Sequence, residues 1–247
     1  MAVAVRFRAA VALVGRFPAL AGVDLDVAPG EILLVTGPNG AGKTSLLRAC
    51  AGLLAVTAGE ANVLGHDLRR DRRAVRRSLA MLGHASFLYD DLTVLDNVRF
   101  AVRAARGDQG AVDRALARLG LDGRLRHTVV GKLSAGQRRR VAIATVVARA
   151  PRLWLLDEPH AGLDAAGRDI LDEAVLSASH DGATVILASH ETDRAGAIAG
   201  RAAKMAGGQV VAEEPLAPAT EVGDAAAGLG PVVVPPDSPS GEPVHVA

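Results

Sequence analysis

Cysteine, lysine and aromatic residues are scarce in this chain, charge of one sign is not in excess, and long apolar runs are missing. The one cysteine, Cys50, has no partner for an internal disulfide, which fits a reducing compartment. No stretch of 18 consecutive apolar residues occurs, so no segment is read as spanning a bilayer, and any membrane role has to come through a partner. The first 20 residues mix apolar positions with Arg6, Arg8 and Arg16, without the apolar block or cleavage site of a secretory signal. With 28 basic and 27 acidic residues the formal charge is +1, so no global field advertises nucleic acid or an acidic substrate. Lysine stands only at Lys43, Lys132 and Lys204, and arginine is the default cation; a lysine at a motif position is therefore informative.

What is present argues for a folded α/β chain. Hydrophobic residues make up 49% of the 247 positions, which excludes disorder over most of the length. Residues 31–36 form a short apolar run with no helical period, ending at Gly37, and read as a buried strand. A glycine-rich turn and a leucine-bearing helix over 43–50 follow, with further apolar strands over 153–156 and 184–188. Alternating strands and helices of this kind predict a parallel sheet covered on both faces. Between residues 93 and 150 the period turns helical: Val112, Leu116 and Leu119 share one stripe closed by Gly120, and Val141, Ala144 and Ala148 share another ended by Pro151. That stretch reads as a helical lobe, about 89–150, inserted into one domain spanning 1–214. From 215 to 247 Pro, Gly, Ala and Val dominate without period, and the segment is expected to be a disordered tail.

Three groups of residues carry chemistry. Gly37-Pro38-Asn39-Gly40-Ala41-Gly42-Lys43-Thr44, with Ser45 next, meets the G-x-x-x-x-G-K-[ST] pattern between a strand and a helix. Glycines let the backbone curl so that amide N–H groups and a helix N-terminus face an anion. Lys43 is placed to reach the β- and γ-phosphates and Thr44 to ligate Mg²⁺. Asp157 and Glu158 follow the apolar run 153–156, at the carboxyl end of a strand where open α/β sheets bind ligands. Asp157 is expected to hold Mg²⁺ through water, and Glu158 to orient and activate the water that attacks the γ-phosphate.

The third group selects the family. Leu133-Ser134-Ala135-Gly136-Gln137 followed by Arg138-Arg139-Arg140 resembles the ABC signature, with alanine in place of one glycine. Ala161-Gly162-Leu163-Asp164 resembles the D-loop, and Ser189-His190 after a strand resembles the switch histidine. The chain is thus identified as similar to ABC ATPases over roughly residues 3–210. The resemblance implies a P-loop NTPase (RecA-like) core sheet with an N-terminal antiparallel β region and the inserted helical lobe. It implies ATP and Mg²⁺ as ligands, a homodimer or paired ATPase subunit in the closed state, and integral membrane permease subunits. It places the chain at the cytoplasmic face of the cell membrane, with no nucleic-acid partner. In the family Ser134, Gly136 and Gln137 close on nucleotide held by the other subunit, and His190 contacts the γ-phosphate. Ser134 is equally readable as a helix cap, and Asp164 as the N-cap of a helix over about 165–178.

Two positions depart from the family. Where it usually has the Q-loop glutamine this chain has His84, whose imidazole titrates near neutrality. Gly83-His84 followed by Leu92-Thr93-x-x-x-Asn97 resembles the ATPase subunit of the cytochrome c biogenesis haem exporter. That resemblance implies haem export, with drug, lipid or peptide export as the alternative and a soluble non-transport ABC ATPase below it. Where the family offers an aromatic to adenine the chain has Val14; nearby Phe17 is a candidate for stacking and equally a candidate core residue. The arginine run 69–77 reads as the solvated face of a helix leading into a strand over 79–82, and Cys50 as a buried apolar side chain.

Overall fold

The structure, a computed structural model, describes residues 3–83 and 85–216. In chain order the strands are β1 (Val5–Val14), β2 (Phe17–Val27), β3 (Ile32–Thr36), β4 (Val56–Val63), β5 (His66–Asp67), β6 (Leu79–Leu82), β7 (Leu153–Asp157), β8 (Thr184–Ala188), β9 (Arg201–Ala206) and β10 (Gln209–Pro215). The α-helices are α1 (Lys43–Cys50), α2 (Leu68–Asp71), α3 (Val94–Ala105), α4 (Ala111–Arg118), α5 (Ala135–Arg149), α6 (Ala165–His180) and α7 (Thr192–Ile198). One sheet is antiparallel, in the order β2-β1-β4-β5; the other runs β10-β9-β3-β8-β7-β6. In the second sheet every neighbouring pair is parallel except the β9–β10 hairpin.

The apolar runs explain the layering. Every residue of β7 and β8 is buried, so these strands have no solvent face and need cover on both sides. Leu33, Val35, Leu153, Leu155 and Ile186 pack on one side with α1 and the antiparallel sheet. Ile32, Leu34, Trp154, Leu156, Val185 and Leu187 alternate to the other side, against α3 to α7. The helical lobe is held by its own polar pin. Thr93 caps α3, and the buried Asn97 side chain bonds both the amide (2.8 Å) and the carbonyl (3.0 Å) of Tyr89, as well as the carbonyl of Thr93 (3.0 Å). The leucine-threonine-asparagine pattern at 92–97 is thus a loop-fixing device.

Two boundaries differ from expectation. The arginine run 69–77 is not one helix: α2 has four residues, capped by Asp67, and a separate 3₁₀ turn covers Ala74–Arg77. Asp67 and Asp71 each accept a bond from the backbone amide two residues on, a local competitor to a continuing helix. At the other end β10 includes Pro215, and the Leu216 amide donates to Gly200 at 3.0 Å, so the packed chain runs past 214. The rest of the expected tail, 217–247, lies outside the described residues.

Candidate active site

The adjacent strands β3, β8 and β7 deliver their carboxyl ends to one edge, and a cavity of about 360 Å³ opens there. Residues 39–45, the end of the glycine-rich loop and the first residues of α1, form one wall. Gly37 has φ 135°, and a Cβ on it would lie 2.2 Å from the Met205 carbonyl oxygen. Gly42, the N-cap of α1, has φ 106°, and its Cβ would lie 2.8 Å from the Ala19 carbonyl oxygen. Backbone conformation and close approach both demand glycine at these two positions. The N-cap makes no side-chain capping bond and the first turn of α1 carries no acid, so the helix presents its positive end to the cavity. That is an anion cradle.

Lys43 is buried at the base of the cradle, where Nζ donates to the carbonyls of Gly37 (2.6 Å) and Pro38 (3.2 Å). The ammonium is thereby held beside the loop it serves, with a donor left for a ligand. Thr44 Oγ1 donates to Asp157 Oδ2 at 2.7 Å, joining the first turn of α1 to the end of β7. A hydroxyl and a carboxylate meeting beside an anion cradle are hard oxygen donors of the kind Mg²⁺ takes from protein, while phosphate and water complete its shell. The residues present therefore fit Mg²⁺.

Glu158 follows β7 in a left-handed conformation, φ 46°, which a non-glycine residue adopts only when its surroundings impose it. Its amide donates to Ala188 at 2.8 Å, extending the β7–β8 ladder by one bond. Its carbonyl accepts from Arg139 Nη2 at 2.7 Å and from the Ala161 amide at 3.2 Å. The carboxylate faces β8: Oε2 accepts from the His190 amide at 3.2 Å, and His190 Nε2 lies 3.4 Å from Oε1. Oε1 is shielded from solvent and receives no hydrogen bond among the described residues. An acceptor in that condition is a functional signal, because burial without a donor is costly.

The remaining predicted residues lie elsewhere. Ser134 caps α5 in a reciprocal capping box: its Oγ accepts from the Gln137 amide (3.2 Å) and its amide donates to Gln137 Oε1 (3.0 Å). Ala135 and Gly136 fall inside the first turn of α5, so alanine is tolerated in place of the family's glycine. Asp164 caps α6 through the Gly167 amide (2.9 Å), and each of its two carboxylate oxygens accepts from Arg140 Nη2 at 2.7 Å; that guanidinium holds the carboxyl below the usual range. Ser134, Gly136, Gln137 and Asp164 do not line the cavity of their own chain. Phe17 is 80% exposed, opposite Val14 in the β1–β2 hairpin, which excludes the core reading; it does not line the cavity either. His84 lies outside the described residues.

Sequence reasoning missed Arg139, which reaches four carbonyls from inside the lobe. The signal was available: Arg139 shares the buried helical stripe of Ile143 and Val146, where an apolar residue is expected. It also missed His160, fully buried, with Nε2 2.7 Å from Asp172 Oδ1; Asp172 in turn accepts from Arg194 Nε at 2.6 Å. A larger cavity, about 620 Å³, lies along α4 and at the C-terminal ends of α5 and α6 over Trp154, and holds none of the predicted residues.

Comparison with known proteins agrees with this geometry. A family model described as "ABC transporter" matches residues 20–161. The cytochrome c biogenesis ATP-binding export protein CcmA of Aromatoleum aromaticum is 45% identical over 175 residues, 69% of this chain and 80% of its own length. CcmA 2 of Cupriavidus metallidurans is 39% identical over 172 residues, covering 69% and 81%. A dimeric ATP-binding cassette solved in a post-hydrolysis state with ADP and Pi superposes with a TM-score of 0.79 at 26% identity, over 86% of this chain and 99% of that one. The ATP-binding subunit of an ABC transporter superposes with a TM-score of 0.81 at 24% identity, over 87% and 90%.

Proposed function

The chain belongs to the ABC transporter family, and from that premise we propose that it is the ATP-hydrolysing subunit of a cytochrome c biogenesis exporter, with haem as the cargo class. One observation carries the chemistry: the phosphate cradle, Asp157, Glu158 and His190 converge on a single cavity at the carboxyl edge of three adjacent strands. The export reading rests on relatives named for cytochrome c biogenesis export, each matched over about four-fifths of its length.

In this mechanism the loop amides and Lys43 bind the phosphates of ATP, with Lys43 turning from the Gly37 and Pro38 carbonyls to the ligand. Thr44 and Asp157 would hold Mg²⁺, which supplies charge neutralisation at the phosphate oxygens. The Glu158 carboxylate, held at Oε2 by the His190 amide, orients water and accepts its proton. His190 stands beside the same carboxylate to contact the γ-phosphate. Ser134 and Gly136 do not line their own chain's cavity; as the family resemblance implies, they serve the nucleotide of a second copy, where the capped N-terminus of α5 meets the phosphates. Two sites therefore complete each other, and hydrolysis releases the pair.

No helix among the described residues is long and apolar enough to cross a membrane. In this reading, coupling to transport runs through permease subunits at the cytoplasmic face, the arrangement that the relatives' role in export suggests. The surface suited to them lies on the lobe: Phe87, Tyr89 and Phe100 are half of the six aromatics in the chain, and all three are exposed together with Leu92. Tyr89 and Phe100 meet edge to face at 5.1 Å, forming a small apolar platform of the kind that a partner covers.

The test is Glu158→Gln. The variant is expected to bind ATP as the wild type does, to lose about 10²- to 10⁴-fold in turnover, and to accumulate as a closed dimer. A pull-down of that trapped form from membranes should recover polytopic proteins together with haem-handling factors. Wild-type turnover in the variant would remove Glu158 as the base. Membrane partners unrelated to haem would keep the motor and discard the cargo.

A further inference from the structure

Arg139 is 9% exposed, one helical turn past the Ser134 cap, and forms no ion pair among the described residues. Its guanidinium is spent on main-chain carbonyls. Nη1 donates to Gly83 at 2.7 Å, Nη2 to Glu158 at 2.7 Å and Asp157 at 3.4 Å, and Nε to Pro159 at 3.3 Å. Burial pushes its pKa below the ordinary arginine value, opposed by the nearby charges of Asp157 and Glu158. Burying a guanidinium is expensive, and an apolar side chain in line with Ile143 and Val146 would fill the same stripe without that penalty. The two flanking arginines go outward instead, Arg138 to Asp90 and Arg140 to Asp164.

The four acceptors define what the fork holds. Gly83 directly follows β6, immediately before position 84. Asp157, Glu158 and Pro159 form the turn in which Glu158 takes φ 46°. With its amide on Ala188 and its carbonyl on Arg139, Glu158 has both flanking peptides fixed, and these set the direction of its carboxylate. A strained residue keeps its conformation only under such over-determination.

We propose that Arg139 is a positioning residue for hydrolysis, clamping the left-handed turn at Glu158 and the end of β6 to the first turns of α5. The inference rests on the ATPase reading above. Its consequence is directional. The helix whose capped N-terminus meets the partner's nucleotide also holds the base of its own site, so displacement of α5 is felt at Glu158 without passing through the phosphate cradle.

The experiment uses Arg139→Lys and Arg139→Gln in the full chain, alone and with Glu158→Gln. Lysine keeps the charge but cannot span carbonyls from two strands, and glutamine keeps a short amide donor. Both single variants are expected to hold ATP with Kd within about 3-fold of wild type, because the cradle is untouched, and to lose at least about 10-fold in kcat. In single-turnover assays the loss should vanish in the Glu158→Gln background, since Arg139 acts only through that carboxylate. Three results would overturn the proposal: kcat within about 3-fold of wild type; losses that multiply in the double variant; or both variants losing nucleotide binding along with turnover, which would make Arg139 merely structural. Wild-type turnover by Glu158→Gln alone would remove Glu158 as the base and this role of Arg139 with it, whereas absence of ATP turnover by the wild type would count against the ATPase reading.

Discussion

Replacing Gly37 by alanine would set a methyl carbon 2.2 Å from the Met205 carbonyl oxygen, where ordinary contact begins at 3.4 Å. Neither partner can swing away, because the obstacle is backbone and β9 is hydrogen-bonded to β3 and β10 on its two edges. Loop or strand has to retreat by about 1 Å, an overpacking that costs about 1–3 kcal/mol. The φ of 135° adds strain of about 1–3 kcal/mol for any residue with a Cβ. The expected destabilisation is therefore about 4 kcal/mol. Gly40, three residues on, is the internal control: its φ is 79°, but no atom lies within 4 Å of its Cβ position. Gly40→Ala should show the conformational term alone, about 1–2 kcal/mol. Denaturant unfolding of both variants without nucleotide separates the two terms, and titration with a fluorescent ATP analogue adds the functional readout. A 1 Å shift of the cradle should weaken nucleotide binding by Gly37→Ala on the order of 100-fold. Equal unfolding midpoints for the two variants, or wild-type affinity in Gly37→Ala, would refute the reasoning.

Burial pushes the Cys50 thiol up to about 12 from an ordinary 9.0, so between those values the folded chain keeps a proton that the unfolded chain releases. Stability should consequently fall as pH rises through that window, by about 1.4 kcal/mol between pH 8 and 10 relative to Cys50→Ala; parallel profiles of the two proteins would contradict it. Phe17→Ala should leave stability within about 0.5 kcal/mol, since the ring is exposed. If Phe17 is the adenine platform, the same change weakens ATP binding about 3- to 10-fold, and a platform this slight leaves GTP accepted alongside ATP. Unchanged ATP affinity in Phe17→Ala would remove that ring from the site.

The local elements were legible from residue spacing alone. Helix α1 starts at Lys43 because a left-handed glycine precedes it, and β7 and β8 are strands because each is a short apolar run without helical period. Caps at Ser134 and Asp164 were legible for the same reason: they depend on side chains bonding amides three residues away. Spacing within a motif is a short-range property that chain stereochemistry enforces.

What joins motifs to each other is long-range. Thr44 meets Asp157 across 113 residues and Glu158 meets the His190 amide across 32, because the strand order β3-β8-β7 departs from the chain order. That order follows from covering both faces of the apolar strands, and no local period encodes it. That Arg139 turns inward while Arg138 and Arg140 turn out depends on how α5 packs, since the three are neighbours in sequence but lie about 100° apart around the helix. The tertiary structure also placed Phe17 in the open, because the β1–β2 turn that carries it projects beyond the layers that bury Phe7 and Leu20.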